Sequence, residues 1–170
     1  MVTPRDSVRM LRRRRLNARP LAVGERAQFK ELAVVAQKAE HSGRRQPLSR
    51  GDETLAYLVE GPESVYFAGD TDVFEQMSEL AGRITVALLP VWGWGKRVGP
   101  GHMDPERAAQ AAALLEPVVA VPIHWGTLAS PLAPWVEDPD APARAFARHA
   151  RRLAPQVAVE VLAPGGRLAL

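Results

Sequence analysis

Three side chains of the kind that bind metal ions follow directly on apolar, strand-like runs. His41 comes just after the run that ends near Ala39, Asp70 just after Val65–Gly69, and His124 just after Val118–Ile123. Imidazole and carboxylate are the donors that zinc, manganese and iron sites use where thiolate is lacking. In layered α/β folds, ligand sites gather beyond the carboxyl ends of strands. Each residue taken singly also has a plainer role. A histidine at a strand end often makes a structural hydrogen bond, and Asp70 could cap a helix that starts nearby. A fourth candidate, His102, stands in Gly101-His102-Met103-Asp104-Pro105, and its plain role is a loop residue ahead of the Asp104 cap. His149 falls on the edge of an apolar helix stripe and reads as structural.

The elements that must position these residues are legible in outline. Thr3-Pro4-Arg5-Asp6 reads as a helix start, with the helix running to about Leu16. Leu21–Val23 is predicted extended, and Phe29–Ala39 a strand. Residues 41–53 form a polar loop of turn formers. Thr54–Glu60 and Val65–Ala68, joined at Gly61-Pro62-Glu63-Ser64, are predicted to pair as a hairpin. A helix over Val73–Ala81 follows, then a strand over Ile84–Pro90, whose nearly unbroken apolar run suits a sheet covered on both faces. Asp104-Pro105-Glu106 starts a helix that fills with Ala and Leu to Leu115. Val118–Ile123 is a strand, Pro142–Leu153 a helix, Val157–Leu162 a strand and Arg167–Leu170 a last short strand. Strands and helices alternate through the second half, which argues for α/β layering in one domain over residues 1–170.

Composition narrows the chemistry. The 170 residues contain no cysteine, so disulfide scaffolds, cysteine zinc ribbons, iron–sulfur clusters and thiol nucleophiles are excluded. The longest apolar run is too short to span a bilayer, and the Arg-rich start has no apolar secretory core, so a cytoplasmic protein is expected. The formal net charge of +3 hides an asymmetry: nine basic and two acidic residues fall within positions 1–30. The four successive arginines Arg12–Arg15 would point around a helix rather than along one face. They read as solvated surface, with no nucleic-acid partner expected.

Four motifs, in order, carry a resemblance. Ala39-Glu40-His41-Ser42-Gly43-Arg44 is similar to the middle histidine motif of the metallo-β-lactamase fold superfamily. Phe67-Ala68-Gly69-Asp70-Thr71 resembles the motif of its metal-bridging aspartate, and Val121-Pro122-Ile123-His124-Trp125-Gly126-Thr127 resembles its last histidine motif. Gly101-His102-Met103-Asp104-Pro105 with the Ala-rich helix after it is similar to the branch of UlaG-like lactonases and NAPE-hydrolysing phospholipase D enzymes. Together these span about residues 30–127, and the Pro164-Gly165-Gly166 ending also resembles that family.

The resemblance implies an α/β fold, a metallo-β-lactamase-like αββα sandwich, and a metal-dependent hydrolase of esters, lactones or phosphodiesters. His41, Asp70 and His124 would be metal ligands, with Asp70 shared between two ions in the full fold. Zinc is the expected metal, with manganese the alternative. His102 would be a catalytic residue that lies near the metals without ligating them, contacting substrate or protonating a leaving group. Trp92, Trp94 and Trp125 flank these motifs and could either wall a pocket for a small-molecule or lipid-like substrate or pack the Gly-rich loop. One departure stands out. The superfamily's His-x-His-x-Asp-His signature is absent, because the four histidines are 41, 102, 124 and 149. In the family that signature precedes the segment resembling Val2-Thr3-Pro4, so the chain is expected to be an N-terminally truncated form of the fold. Three consequences are expected: weak metal binding from two protein ligands per ion, an uncovered apolar sheet face, and a tendency to self-associate as a homo-oligomer. A non-catalytic remnant that binds a partner is the alternative function.

Overall fold

The computed structural model describes residues 1–41, 54–91, 98–126, 138–163 and 165–170. The sequence reading of residues 42–53, of Trp92 and Trp94, of most of the Pro-rich loop and of Pro164 lies outside those residues. The described chain forms a seven-stranded sheet in sequence order: β3 (Arg26–Phe29), β4 (Leu32–Lys38), β5 (Leu55–Glu60), β6 (Val65–Phe67), β7 (Val86–Pro90), β8 (Val119–Ile123) and β9 (Ala158–Val159). β3 to β6 are antiparallel neighbours, and β6 to β9 run parallel. Helices α2 (Pro105–Leu115) and α3 (Ala141–Leu153) provide the crossovers β7–β8 and β8–β9. A separate parallel pair, β1 (Val2–Pro4) with β2 (Arg19–Leu21), encloses a short α1 (Val8–Arg13).

The sheet has two unlike faces, because residues paired across a ladder share a face. On one face Leu58, Tyr66, Ala87 and Ala120 lie in register and are all buried. Against them pack Ala108, Ala109, Ala111, Ala112 and Leu115 of α2, with Phe146 and Ala150 of α3 behind. The small side chains of α2 let the helix lie close to the sheet at interior packing density. On the other face the row Tyr57, Phe67, Leu88, Val121 begins under the β1–β2 ribbon, where Leu21 packs with Ala27, Ala36 and Leu55. Beyond that ribbon Phe67, on a central strand, is 41% exposed.

Several elements differ from their sequence reading, for local reasons. The single strand predicted over Phe29–Ala39 is two strands, because Lys30 turns the chain at φ +53° and the halves pair as a hairpin. The N-terminal helix is shorter than predicted, since Val2–Pro4 is drawn into β1 and only a 3-10 turn and α1 follow. Glu25 ties this region to the sheet. Its carboxylate accepts the Ala22 N–H at 2.8 Å and pairs with Arg5, contacts that hold it below the ordinary carboxylate range. The segment predicted as a helix over Val73–Ala81 is a 3-10 helix over Glu75–Leu80. Its threefold repeat puts Met77 and Leu80, three apart, together into the core. Among the described residues Arg167–Leu170 forms no strand.

Tyr66 is 1% exposed. Burial alone pushes its phenol above the usual range. Tyr66→Phe is expected to change stability by no more than about 1 kcal/mol, because the ring that fills the core is kept and a single hydroxyl contributes about that much net. A urea melt showing a loss well beyond that would mean the hydroxyl has a partner.

Candidate metal centre

Strand direction brings the candidate residues together. β4 and β6 both oppose β5, and β6, β7 and β8 run parallel, so the carboxyl ends of these four strands lie along one sheet edge. His41 leaves that edge after β4, Asp70 after β6 and His124 after β8. Two of these exits use the left-handed backbone region. Gly69 turns at φ +68°, where a residue without Cβ is unstrained. His124 adopts φ +61°, an uncommon state for a side-chain-bearing residue and one that concentrates at functional sites. Trp125 anchors that turn by donating its Nε1–H to the Pro122 carbonyl at 2.9 Å, and its ring packs on the core.

His102 arrives from the start of α2. The Asp104 side chain accepts the Arg107 N–H at 2.8 Å, with Pro105 in the first turn, so this helix start is as the sequence indicated. The family resemblance implied that His102 lies near the other candidates, and the structure sets it in contact with two of them. Its Nε2 is 3.2 Å from Asp70 Oδ2 and 3.2 Å from His41 Nε2. His41 Nε2 is 3.5 Å from Asp70 Oδ2, and His124 Nε2 is 4.0 Å away. Asp70 Oδ2 is thus the hub of three imidazoles. His41, Asp70 and His102 each offer a donor atom within 4.8 Å of the others, and all three are half-buried. Two imidazole nitrogens and a carboxylate oxygen, open to solvent on one side, fit a divalent cation of the zinc or manganese class. His149 sits elsewhere, on α3 beside Glu106.

The residues after Asp70 hold this arrangement, and sequence reasoning passed over them. Buried Thr71 accepts the Glu40 N–H at 2.7 Å, and the Asp72 N–H donates to the Glu40 carbonyl at 2.9 Å, which fixes the approach to His41. The Asp72 carboxylate, 8% exposed as a residue, accepts the Val73 N–H at 2.8 Å and pairs with Arg107 at 2.7 Å. It also accepts the Gly101 N–H at 3.3 Å, next to His102. The available signal was a polar Thr71-Asp72 pair set between a buried strand and the apolar Val73-Phe74. Asp72→Ala is expected to cost about 1–3 kcal/mol in a denaturant melt, since it removes three contacts at once and strands the part-buried Val73 and Gly101 N–H groups. It is also expected to weaken metal affinity by about 10–100-fold, the usual effect of losing an outer-shell partner. Unchanged metal affinity would show that the clamp does not orient the donors.

The mixed sheet with a helix layer on one face, carrying a histidine-ringed aspartate at its carboxyl edge, is the metallo-β-lactamase fold. The chain belongs to the family described as the beta-lactamase superfamily domain, whose model matches residues 2–125. It is 34% identical over 156 residues to a UPF0173 metal-dependent hydrolase of Methanopyrus kandleri, covering 88% of this chain and 61% of that one. Among solved structures it resembles Igni18, a metallo hydrolase from Ignicoccus hospitalis, with TM-score 0.69 and 25% identity, covering 98% of this chain and 66% of that one. It also shares the fold of YhfI from Bacillus subtilis at TM-score 0.67 and 10% identity, covering 94% of this chain and 60% of that one. The chain spans 61%, 54% and 60% of three curated relatives it matches. No helix among the described residues is long and apolar enough to cross a membrane.

Proposed function

We propose that this chain carries the Asp70-centred part of a metal-dependent hydrolase acting on an ester, lactone or phosphodiester of a small-molecule or lipid-like substrate. The observation that carries the reading is Asp70 Oδ2 with three imidazole Nε2 atoms within 4.0 Å. Asp70, His41 and His124 hold the cation, zinc in the first instance. When bound, the cation supplies Lewis acidity toward a carbonyl or phosphoryl oxygen and eases deprotonation of water near neutral pH. The chain's own part is positioning. Asp70 gives the site its negative charge, and the Thr71–Asp72 clamp fixes the spacing between the His41 and His102 segments. His102 is 24% exposed at the side chain and can meet substrate or hand a proton to a leaving group. The name metal-dependent hydrolase, borne by relatives that match most of this chain, supports the same chemistry.

The test is turnover of nitrophenyl ester, lactone and phosphodiester probes by the purified chain, stripped of metal and then resupplied with Zn²⁺ or Mn²⁺. Metal-dependent turnover of at least one probe class, lost on chelation and in Asp70→Asn, is the expected result. Metal uptake without any turnover would overturn it. That outcome would favour a non-catalytic, partner-binding role, to which the exposed Phe67 on the open sheet face lends support.

A further inference from the structure

We infer that the β1–α1–β2 ribbon is a docking surface for an anionic phospholipid bilayer. The inference is independent of the metal reading. Charge in the chain is segregated: nine basic and two acidic residues lie within 1–30, and thirteen basic and seventeen acidic residues within 31–170. The ribbon is thus the positive part of a molecule whose remainder is acidic, and such a molecule turns its basic side toward a negative surface. Arg9, Arg12, Arg13, Arg14, Arg15 and Arg19 are all exposed. Among the described residues, the ion pairs made by positions 1–30 are Arg5 with Glu25 and Arg26 with Glu60, which involve none of these six. Folding gives no account of this charge, because α1 buries none of its residues. The helix dipole favours Arg12 and Arg13 in the last turn and leaves Arg9 and Arg19 unexplained.

Shape and apolar surface select the partner. Arg9, Arg13 and Arg14 line a shallow groove of about 410 Å³ together with Met10 and Asp6. Arg9 and Arg13 are four residues apart and so share one helix face. Guanidinium groups on one face suit a phosphate, which they meet through paired N–H donors. Beyond α1, Arg15 turns the chain in the left-handed region at φ +58°, and the Leu16 N–H returns to the Leu11 carbonyl at 3.1 Å. Leu16 is left 41% exposed. Met1, 64% exposed, is held nearby: its ammonium donates to the Asn17 carbonyl at 3.2 Å, and its carbonyl accepts the Arg19 N–H at 2.9 Å. Exposed leucine and methionine beside arginines gain nothing from the phosphates of a nucleic acid. At a bilayer they enter the boundary between headgroups and acyl chains, while the arginines stay among the headgroup phosphates. A six-residue helix with arginines around it also offers no single face to a nucleic-acid groove.

The experiment is sedimentation of the full chain with phosphatidylcholine vesicles, either pure or holding about 30% phosphatidylserine. Binding to the anionic vesicles alone is expected, falling steeply as KCl is raised. Each basic residue near such a surface is worth about fivefold in partitioning, so a variant combining Arg9→Ala, Arg13→Ala and Arg14→Ala should bind about 100-fold more weakly. Leu16→Ser should weaken binding by about three- to tenfold and leave its salt dependence unchanged. These residues are exposed, so both variants should melt like the parent. Should the triple variant melt lower, the parent decides: vesicle binding that is indifferent to KCl overturns the inference. Equal binding to neutral vesicles, no binding to either kind, or a triple variant that binds like the parent overturns it as well. So does tighter binding to a duplex DNA probe than to anionic vesicles, which would make the ribbon a nucleic-acid surface. Release from the vesicles by low millimolar inorganic phosphate would make free phosphate the ligand and overturn it too. Each of these results leaves the metal reading standing.

Discussion

Asp70→Asn is expected to lower affinity for Zn²⁺ by at least about a hundredfold, since even outer-shell partners of ligands are worth about 10–100-fold. The replacement keeps the side chain's shape and removes its charge, leaving imidazoles clustered around a neutral amide. Stability without metal should hardly move. Asp70 is 34% exposed at the side chain, so water screens its imidazole contacts and the loss without metal should stay well below the metal increment. The diagnostic is the gap between metal-loaded and metal-free melts. A cation at a hundred times its dissociation constant stabilises the folded state by about 2.7 kcal/mol, and the variant should lose that increment. A variant that keeps the increment would place the cation somewhere other than Asp70.

Phe146→Ala is expected to cost about 3–5 kcal/mol in urea unfolding, the usual penalty for removing a buried aromatic ring. Phe146 is fully buried on α3 and belongs to the same core cluster as α2 and the sheet. The loss should reach the metal centre as well. α2 begins at the Asp104 cap, and its Arg107 pairs with Asp72, so α2 carries the His102 segment against Asp70. Weakened metal affinity alongside the stability loss is the expected pair of results. A cost below about 1 kcal/mol would mean that α3 is not needed to hold α2 in place.

The sequence made some of this arrangement readable and left some of it hidden. Asp70, His41 and His124 were found because strands with strong apolar runs end just before them, and strand ends are where the fold exposes side chains. The hairpin β5–β6 and the cap of α2 were equally plain, because Gly61-Pro62 and Asp104-Pro105 are local signals. The β3–β4 turn was missed because Lys30 and Glu31 are not turn formers. Pairing across the sheet, not the two residues themselves, pays for the positive φ at Lys30. The contact of His102 with His41 spans 61 residues of sequence. Spacing cannot show such a contact, and it depends on Asp72 gripping both Gly101 and Arg107.

The most direct measurement is anomalous X-ray scattering at the zinc edge from crystals of the chain grown with Zn²⁺. The account expects a strong peak about 2.0–2.2 Å from Asp70 Oδ2, with His41 Nε2 and His124 Nε2 as its imidazole ligands. A fully occupied peak away from Asp70, or none in crystals whose protein is folded, would contradict it.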